Sequence, residues 1–244
     1  MHETVNHVHH IRLCAILPPG LNVTCRGATL LPTSSARYLG IIIDEHLSFA
    51  EQVTRVVTVV KQKVAAFRHG RRNLSLSARR LFYLSIIQPT LDYASLAYVH
   101  SLNQQNYDQL LRVSLYAIKE IFGLDRMTPS RIVLNHAQLY ALGLRFNLKL
   151  YMFVYRCLHG LASPLLTSMF DLLTHSVHTN AITRAQTTAS IRLPPARTRY
   201  GFSSLSFLAA DRWNILPSDC RQARSPNEFI ALTKQYLGFP VKRQ

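Results

Sequence analysis

The acidic side chains are the first candidates for chemistry, because polymerases and nucleases hold Mg²⁺ ions about 3.5–4 Å apart between converging carboxylates. Asp44 and Glu45 are adjacent and follow an apolar run, Tyr38 to Ile43. Neighbouring residues of a strand point to opposite faces, so these two carboxylates would not share a metal ion. Other acids fall on different predicted helices: Asp92, Asp108, Glu120 and Asp125. The sequence therefore predicts no catalytic carboxylate pair, no metal site and no cofactor for this chain.

Cysteine and histidine side chains are further candidates, because both can act as metal ligands or nucleophiles. The 4 cysteines are scattered without the short spacings of a structural zinc site, and we interpret them as reduced thiols of an intracellular protein, nuclear or cytoplasmic. Residues 1–10 are rich in histidine, which binds zinc well, but a disordered polar tail is the favoured interpretation. No glycine-rich phosphate loop or G-x-S-x-G motif is present. An enzyme that gathers scattered histidine and aspartate side chains in a pocket stays an open alternative.

The net charge predicts a polyanionic partner. The chain carries 28 lysines and arginines against 12 acids, a formal net charge of +16. Residues 51–80 contain Glu51 as their single acid, whereas ordinary solvated helix faces mix both signs. We therefore predict that this stretch contacts the phosphates of RNA, DNA or an RNA–DNA hybrid. The predicted contacts are Arg55, Lys61, Lys63, Arg68, Arg71, Arg72, Arg79 and Arg80.

An anionic membrane surface is the competing partner for this stretch. It is disfavoured because the predicted helix lacks the Trp and Leu anchors of interfacial helices, and no apolar run of membrane-spanning length is present. Neither a membrane nor a small-molecule substrate is predicted, and the oligomeric state is not predicted.

A second basic zone, residues 184–224, is rich in arginine, which suits bidentate phosphate contacts. Its predicted nucleic-acid contacts are Arg184, Arg197 and Arg199. Tyr200, Phe202 and Phe207 could stack on bases. The favoured alternative is that these aromatic side chains fill a small core of the C-terminal region.

The residue pattern predicts a mainly α (α+β) fold. The expected parts are a small N-terminal antiparallel β unit, a bundle of five or more helices and a short mixed C-terminal tail. The predicted strands are Ile11–Leu17, Leu21–Cys25, Tyr38–Ile43 and Ile191–Leu193. The predicted helices are 48–69, 75–87 with a stop or kink before Pro89, 91–99, 105–122, 129–134, 139–159 and 226–237. The predicted domains are a tail (1–10), a β hairpin (11–47), a helical domain (48–170), a linker (171–189) and a small basic region (190–244).

Several motifs, in this order and spacing, resemble one protein family. The motif residues are Tyr38-Leu39-Gly40 followed by Asp44, Leu47 and Phe49; Tyr83, Ile87, Pro89, Leu91 and Tyr93; Leu110 to Arg112, Ala117 to Lys119, Ile121 and Gly123; Tyr200-Gly201, Ser204, Phe207, Ala210, Trp213-Asn214 and Leu216-Pro217; and Ser225, Phe229 and Tyr236-Leu237. Together they resemble the C-terminal part of LINE-type, non-LTR retrotransposon reverse transcriptases, the transposable-element enzymes that act as RNA-directed DNA polymerases. The resemblance covers roughly residues 37–238.

The resemblance implies specific roles. Tyr38, Leu39 and Gly40 would lie in a hairpin similar to a primer grip, and the helices after it would form a thumb that holds template and primer phosphates. Asp44 would end a strand and help to start a helix. The family's catalytic acids and Mg²⁺ belong to a preceding palm, and its F/Y-A-D-D motif is not found in residues 1–37.

The function expected from the resemblance is therefore a nucleic-acid-binding fragment without polymerase activity of its own. It implies that Met1 is an internal methionine of a longer or truncated copy. The alternative is a host-adopted basic module that binds nucleic acid or protein without catalysis.

Overall fold

The computed structural model describes residues 23–25, 28–30, 33–68, 70–170 and 190–239. It confirms a mainly helical chain with small antiparallel β structure near its N-terminus. The predicted tail 1–10, the predicted strand Ile11–Leu17 and the predicted linker 171–189, which contains Arg184, lie outside the described residues.

The chain divides into two compact units, which are described separately. The first unit comprises the residues up to Ala94 together with Leu102–Val133, and the second comprises Ser95–Ser101 together with the residues from Leu134 onward. The predicted helical domain 48–170 is shared between these units, because the helix at Leu142–Leu158 packs with helices from the C-terminal region.

Two β hairpins lie near the start of the first unit. Strand β1 (Val23–Cys25) pairs with β2 (Ala28–Leu30), and β3 (Ser35–Tyr38) pairs with β4 (Ile41–Asp44), both antiparallel. The prediction of one continuous strand over Tyr38–Ile43 is wrong. The backbone turns at Leu39 (φ 45°) and Gly40 (φ 82°), and positive φ at both central residues is the geometry that joins two twisted strands in a tight hairpin.

The helices follow in chain order. In the earlier part of the chain they are α1 (Ala50–Arg68), α2 (Leu76–Phe82), α3 (Gln88–Asp92), α4 (Ser95–Tyr98), α5 (Gln104–Phe122) and α6 (Ser130–Ala137). In the later part they are α7 (Leu142–Leu158), α8 (Pro164–Thr167), α9 (Arg199–Phe202), α10 (Leu205–Ile215), α11 (Ser218–Arg221) and α12 (Pro226–Tyr236). Short 3₁₀ turns lie at Arg71–Asn73 and Val99–Ser101.

Helices α1 and α5 pack along each other and form the core of the first unit. Val53, Val56, Val60 and Val64 recur at helical spacing on the buried side of α1. The buried residues of α5 are Asn106, Leu110, Val113, Ser114, Ala117, Ile118, Ile121 and Phe122. The predicted helices 48–69 and 105–122 are confirmed, because their apolar periodicity is long and unbroken.

The predicted break before Pro89 takes a different form. A π-helix, Tyr83–Ile87, joins α2 to α3, and the Gln88 amide donates to the Tyr83 carbonyl five residues earlier. Pro89 lies in the first turn of α3, where its missing N–H is tolerated. The helical path therefore widens before the proline instead of ending, and it runs on to Asp92.

The core of the second unit is aromatic. Trp213, Phe229 and Tyr155 are buried, with ring centroids 5.7 Å apart for Trp213–Phe229 and 4.4 Å for Tyr155–Phe229. The prediction of a strand at Ile191–Leu193 is wrong. The side-chain amide of Asn214 satisfies the Ile191 backbone, donating to its carbonyl at 2.8 Å and accepting from its amide at 2.9 Å.

Candidate nucleic-acid interface

The tip of the β3–β4 hairpin is fixed by side chains from the helices. The Arg55 guanidinium donates to the Gly40 carbonyl at 2.9 Å, and the Tyr93 hydroxyl donates to the Leu39 carbonyl at 2.7 Å. A Cβ at Gly40 would lie 3.4 Å from the Tyr93 ring, so the turn and this ring are already in close contact. The turn that carries two of the primer-grip-like residues is therefore held by its backbone.

The side chains of the tip are left accessible. Tyr38 is exposed, and Leu39 exposes 72% of its surface although it is apolar. Leu39 also has a positive φ of 45°, a conformation that costs a residue with a Cβ roughly 1–2 kcal/mol. An exposed leucine in this backbone conformation contributes little to the core, which makes the tip a candidate contact surface.

A groove of about 370 Å³ lies beside the hairpin in the first unit. Arg55 and Lys63 of α1 line it together with Ile86 and Tyr93, so that cationic and apolar side chains share one concave surface. The Lys63 ammonium donates to the Thr90 hydroxyl at 2.6 Å. Each cation uses one hydrogen bond to the protein and keeps further N–H donors for a ligand.

Other arginines that were predicted to contact phosphates instead bond or lie close to the C-terminal end of α5. Arg71 donates to the Glu120 carbonyl at 2.5 Å, and Arg79 donates to the Phe122 carbonyl at 3.2 Å. The Glu120 carboxylate lies 3.3 Å from Arg68 and 3.8 Å from Arg71. The last carbonyls of a helix have no partner within the helix, and cations are favoured there by the helix dipole. These arginines therefore stabilise the fold of the first unit directly.

The basic side chains of residues 51–80 do not lie together on one face of the first unit. Lys61 and Lys63 are about 160° apart around α1 at 3.6 residues per turn, and Lys61 is exposed outside the groove. Arg80 is half-buried on α2. The side chain of Arg72 lies outside the described part of the structure. The structure therefore places Arg55 against the hairpin tip and Arg55 and Lys63 in one groove, whereas Arg68, Arg71 and Arg79 lie at the end of α5.

The second basic zone presents Arg197, Arg199 and two aromatic side chains at the surface. Arg197 and Arg199 are exposed, and Tyr200 and Phe202 expose 54% and 49% of their surface. The expectation that these aromatic side chains fill the core of the C-terminal region is wrong for Tyr200 and Phe202, because that core is formed around Trp213.

Asp44 has the role implied by the resemblance. Its carboxylate accepts from the Ser48 amide at 3.0 Å and from the Phe49 amide at 2.6 Å, just before α1 begins at Ala50. Burial opposes ionisation of this carboxyl, but the hydrogen bonds from Ser48 and Phe49 outweigh it and lower the pKa of Asp44 below its usual value. Asp44 therefore ends β4 and caps the entry to α1.

Gln52 lines the groove and positions the hairpin, a role that sequence reasoning missed. Its side chain is almost completely buried, and its Oε1 accepts from the Ile42 amide at 3.1 Å, so it ties β4 to α1. The available signal was a polar residue one helical turn before Val56 on the apolar side of α1. A buried amide at such a position needs a hydrogen-bond partner, and an unpaired strand edge provides one.

Among the described residues, no group of three or more His, Cys, Asp or Glu side chains is placed to hold a metal ion. No helix within the described ranges is both long enough and apolar enough to cross a membrane. Cys157 and Cys220 are buried free thiols, and burial raises the pKa of both. No protein-family model, curated protein or solved structure matches this chain.

Proposed function

We propose that this chain binds the backbone of template–primer nucleic acid without reading its sequence, as a part similar to the thumb and primer grip of a LINE-type reverse transcriptase. The observation that carries the proposal is the arrangement in the first unit, where Arg55 and Lys63 line a groove beside the exposed hairpin tip. The proposal assigns binding to this chain and no catalytic step.

The two cations supply the phosphate contacts. Arg55 is oriented by its bond to the Gly40 carbonyl, and Lys63 by its bond to the Thr90 hydroxyl, so both heads are positioned before a ligand arrives. Preorganised donors lose little side-chain entropy on binding. Phosphate contacts of this kind fix the position of a nucleic acid but carry no sequence information.

The hairpin tip supplies the shape of the site. Tyr38 and Leu39 are exposed next to the carbonyls that Arg55 and Tyr93 hold, so the tip is a firm apolar projection beside a cationic groove. Such a projection can pack against the sugar and base surface of a strand end while the cations hold its phosphates. The excess of bases over acids in the whole chain favours association with any polyanion and raises the association rate.

The test is the salt dependence of binding to a short RNA–DNA hybrid, measured by fluorescence anisotropy with the full chain. If about six phosphates are neutralised, the affinity falls about 10³-fold between about 50 and 200 mM salt. The double variant Arg55→Gln/Lys63→Gln is expected to reduce the slope of log K against log salt by about 2, because each lost phosphate contact reduces it by about 1. Lys61→Gln removes one positive charge outside the groove and is the control, compared with the groove variant per charge removed.

Two results would contradict the proposal. One is the absence of binding to the hybrid by the unmodified chain at low salt. The other is an equal loss of slope per charge in Lys61→Gln and in the groove variants, which would indicate diffuse attraction and no site. Arg55→Gln could also weaken binding by releasing the hairpin. Hydrogen exchange of the β3–β4 amides detects that release, because the exchange of these amides then becomes faster.

A further inference from the structure

A surface segment of the second unit combines exposed arginines with exposed apolar side chains. We call residues 191–202 the strap. Leu193, Tyr200 and Phe202 are among the large apolar side chains that the structure leaves exposed. The arginines of the strap, Arg192, Arg197 and Arg199, are exposed as well. Between Ile191 and Phe202 the sequence contains no acid.

The strap is anchored at its first residue. The Ile191 side chain is buried, and its backbone amide and carbonyl both bond to the Asn214 side chain of α10. Next to it, the Arg221 guanidinium donates to the Ser190 hydroxyl at 2.7 Å. The segment therefore starts from a fixed point on the folded unit.

The end of the strap is a tight, packed turn. The Thr198 hydroxyl accepts from the Gly201 amide at 3.2 Å. A Cβ at Gly201 would lie 3.2 Å from the Ala196 Cβ, so the turn folds directly onto the preceding strap. The Phe202 ring meets the Phe207 ring edge to face at 5.1 Å and 87°, which holds it in place while about half of its surface stays accessible.

The strap arginines have no partner among the residues that the structure describes. Within residues 190–239 and the rest of the described chain, none of Arg192, Arg197 and Arg199 forms a hydrogen bond or an ion pair through its side chain. The Glu228 carboxylate, an acid of the same unit, accepts from the Arg224 amide at 2.8 Å as part of the cap of α12. An unpaired cationic surface with accessible rings is complementary to an anion that carries aromatic faces.

We propose that the strap binds an unpaired nucleic-acid strand, with Arg197 and Arg199 on its phosphates and Tyr200 and Phe202 stacked on its bases. Guanidinium forks match phosphate geometry, and every unpaired base offers a face to an aromatic ring. A duplex buries those faces inside its own stack, so the strap selects single strands. The ligand class rests on the proposed function, but the site lies in the second unit and uses different residues.

A lipid surface is the less suitable occupant. Interfacial segments bury a continuous apolar helix face, whereas the strap is mostly irregular and its helix α9 spans only 4 residues. Its apolar side chains alternate with arginines and small residues. The lipid alternative is nevertheless one arm of the test.

The test compares two probes by fluorescence anisotropy with the full chain. The first probe is an oligodeoxythymidine of about 12 nucleotides, within the site sizes of single-strand binders, and the second is a blunt RNA–DNA hybrid of similar length. Tyr200→Ala and the double variant Arg197→Gln/Arg199→Gln are each expected to weaken single-strand binding about tenfold, while hybrid binding changes less than about threefold.

The controls are matched by residue type and exposure. Tyr236→Ala removes another tyrosine that is 44% exposed, and Arg224→Gln removes another exposed arginine of the same unit. Both are expected to leave single-strand binding within about twofold of the unmodified chain, because general charge effects are small compared with a stacking site. Tyr200 is preferred to Phe202 for the first variant because Phe202 also packs on Phe207.

The outcomes separate this inference from the proposed function. Loss of single-strand binding in the strap variants supports the inference even if Arg55→Gln/Lys63→Gln leaves hybrid binding intact, a result that would overturn only the proposed function. Strap variants that bind the single strand as well as the controls do would overturn the inference alone. So would strap variants that lose binding to phosphatidylserine vesicles but not to the oligonucleotide.

Discussion

In the first unit, Arg55, Arg71 and Arg79 donate to backbone carbonyls of the hairpin tip and of the end of α5. In the second unit, Arg197 and Arg199 are exposed and contact no described acceptor. The two stretches, residues 51–80 and 184–224, have a similar composition, rich in basic and poor in acidic residues. The difference shows that local charge density predicts a polyanion-binding chain but does not identify which bases are available to the ligand.

The two units also differ in how they build a core. The first unit packs β-branched and aliphatic residues of α1 and α5, whereas the second stacks the rings of Trp213, Phe229 and Tyr155. Aliphatic packing follows from helical periodicity within each helix. The aromatic cluster joins α7, α10 and α12, which are far apart in the chain, so it depends on tertiary structure.

The largest expected loss of stability comes from removing a ring of the aromatic core. Phe229→Ala should lower the stability of the second unit by about 3–5 kcal/mol, because it removes a fully buried ring between Trp213 and Tyr155. Val60→Ala removes two buried methyl groups from the first unit and should cost about 2 kcal/mol. Urea unfolding followed by the fluorescence of Trp213, the only tryptophan, measures the first effect. Hydrogen exchange of α1 measures the second, and an equal cost for both variants would contradict the contrast.

A smaller loss of stability is expected when an arginine that bonds to the backbone is removed, and it can be compared with the removal of an exposed strap arginine. Arg71→Ala should destabilise the first unit by about 1–2 kcal/mol, because it removes a charged donor from the Glu120 carbonyl and a cation from the Glu120 carboxylate. Arg199→Ala removes an exposed cation and should change stability by less than about 0.5 kcal/mol. Urea unfolding followed by circular dichroism compares them. Equal losses would mean that the strap arginines also hold the fold.

The smallest expected effect concerns the helix caps and depends on pH. Asp44→Asn should cost about 1 kcal/mol at neutral pH, since the ionised carboxylate holds the Ser48 and Phe49 amides. Because the pKa of Asp44 is lower in the folded chain than its ordinary value of 3.8, this stabilisation is complete above that value and is lost as the pH falls through the folded pKa.

The matched variant is Ser204→Ala at the start of α10. The Ser204 hydroxyl accepts from the Phe207 amide at 3.3 Å and does not titrate in this range, so its loss should cost a similar amount at every pH. Urea unfolding of both variants at pH 7 and near pH 3 gives the comparison. A difference between unmodified chain and Asp44→Asn that does not shrink at the lower pH would show that charge is not what stabilises this cap.

Much of the fold was predictable from local patterns. The valine spacing of α1 and the Gly123 terminator of α5 fixed two long helices to within about two residues. The prediction of one continuous strand over Tyr38–Ile43 was wrong for a local reason. β-branched residues favour strands on either side of a tight turn, and Leu39 gives no sign that it adopts a positive φ.

The sequence predicted the kind of candidate site, a hairpin tip with basic side chains, but only some of the residues that the structure brings together there. Tyr38, Leu39 and Gly40 do lie at a hairpin tip, Arg55 contacts that tip, and Arg55 and Lys63 line one groove. Whether these residues bind nucleic acid stays a prediction. Gln52 was missed because a buried polar residue is recognisable only when its partner, here the Ile42 amide, is known.

By itself, the sequence determined the mainly helical class, the two long helices and the strongly basic character, because periodicity and charge depend on residues close together in the chain. Only the tertiary structure decided how each base is used. Arg71 and Lys63 are both cations in one basic stretch, yet Arg71 donates to a helix-terminal carbonyl 49 residues away and Lys63 lines a groove. The physical reason is that an unsatisfied carbonyl attracts a guanidinium as a phosphate does, and chain folding determines which of them is within reach.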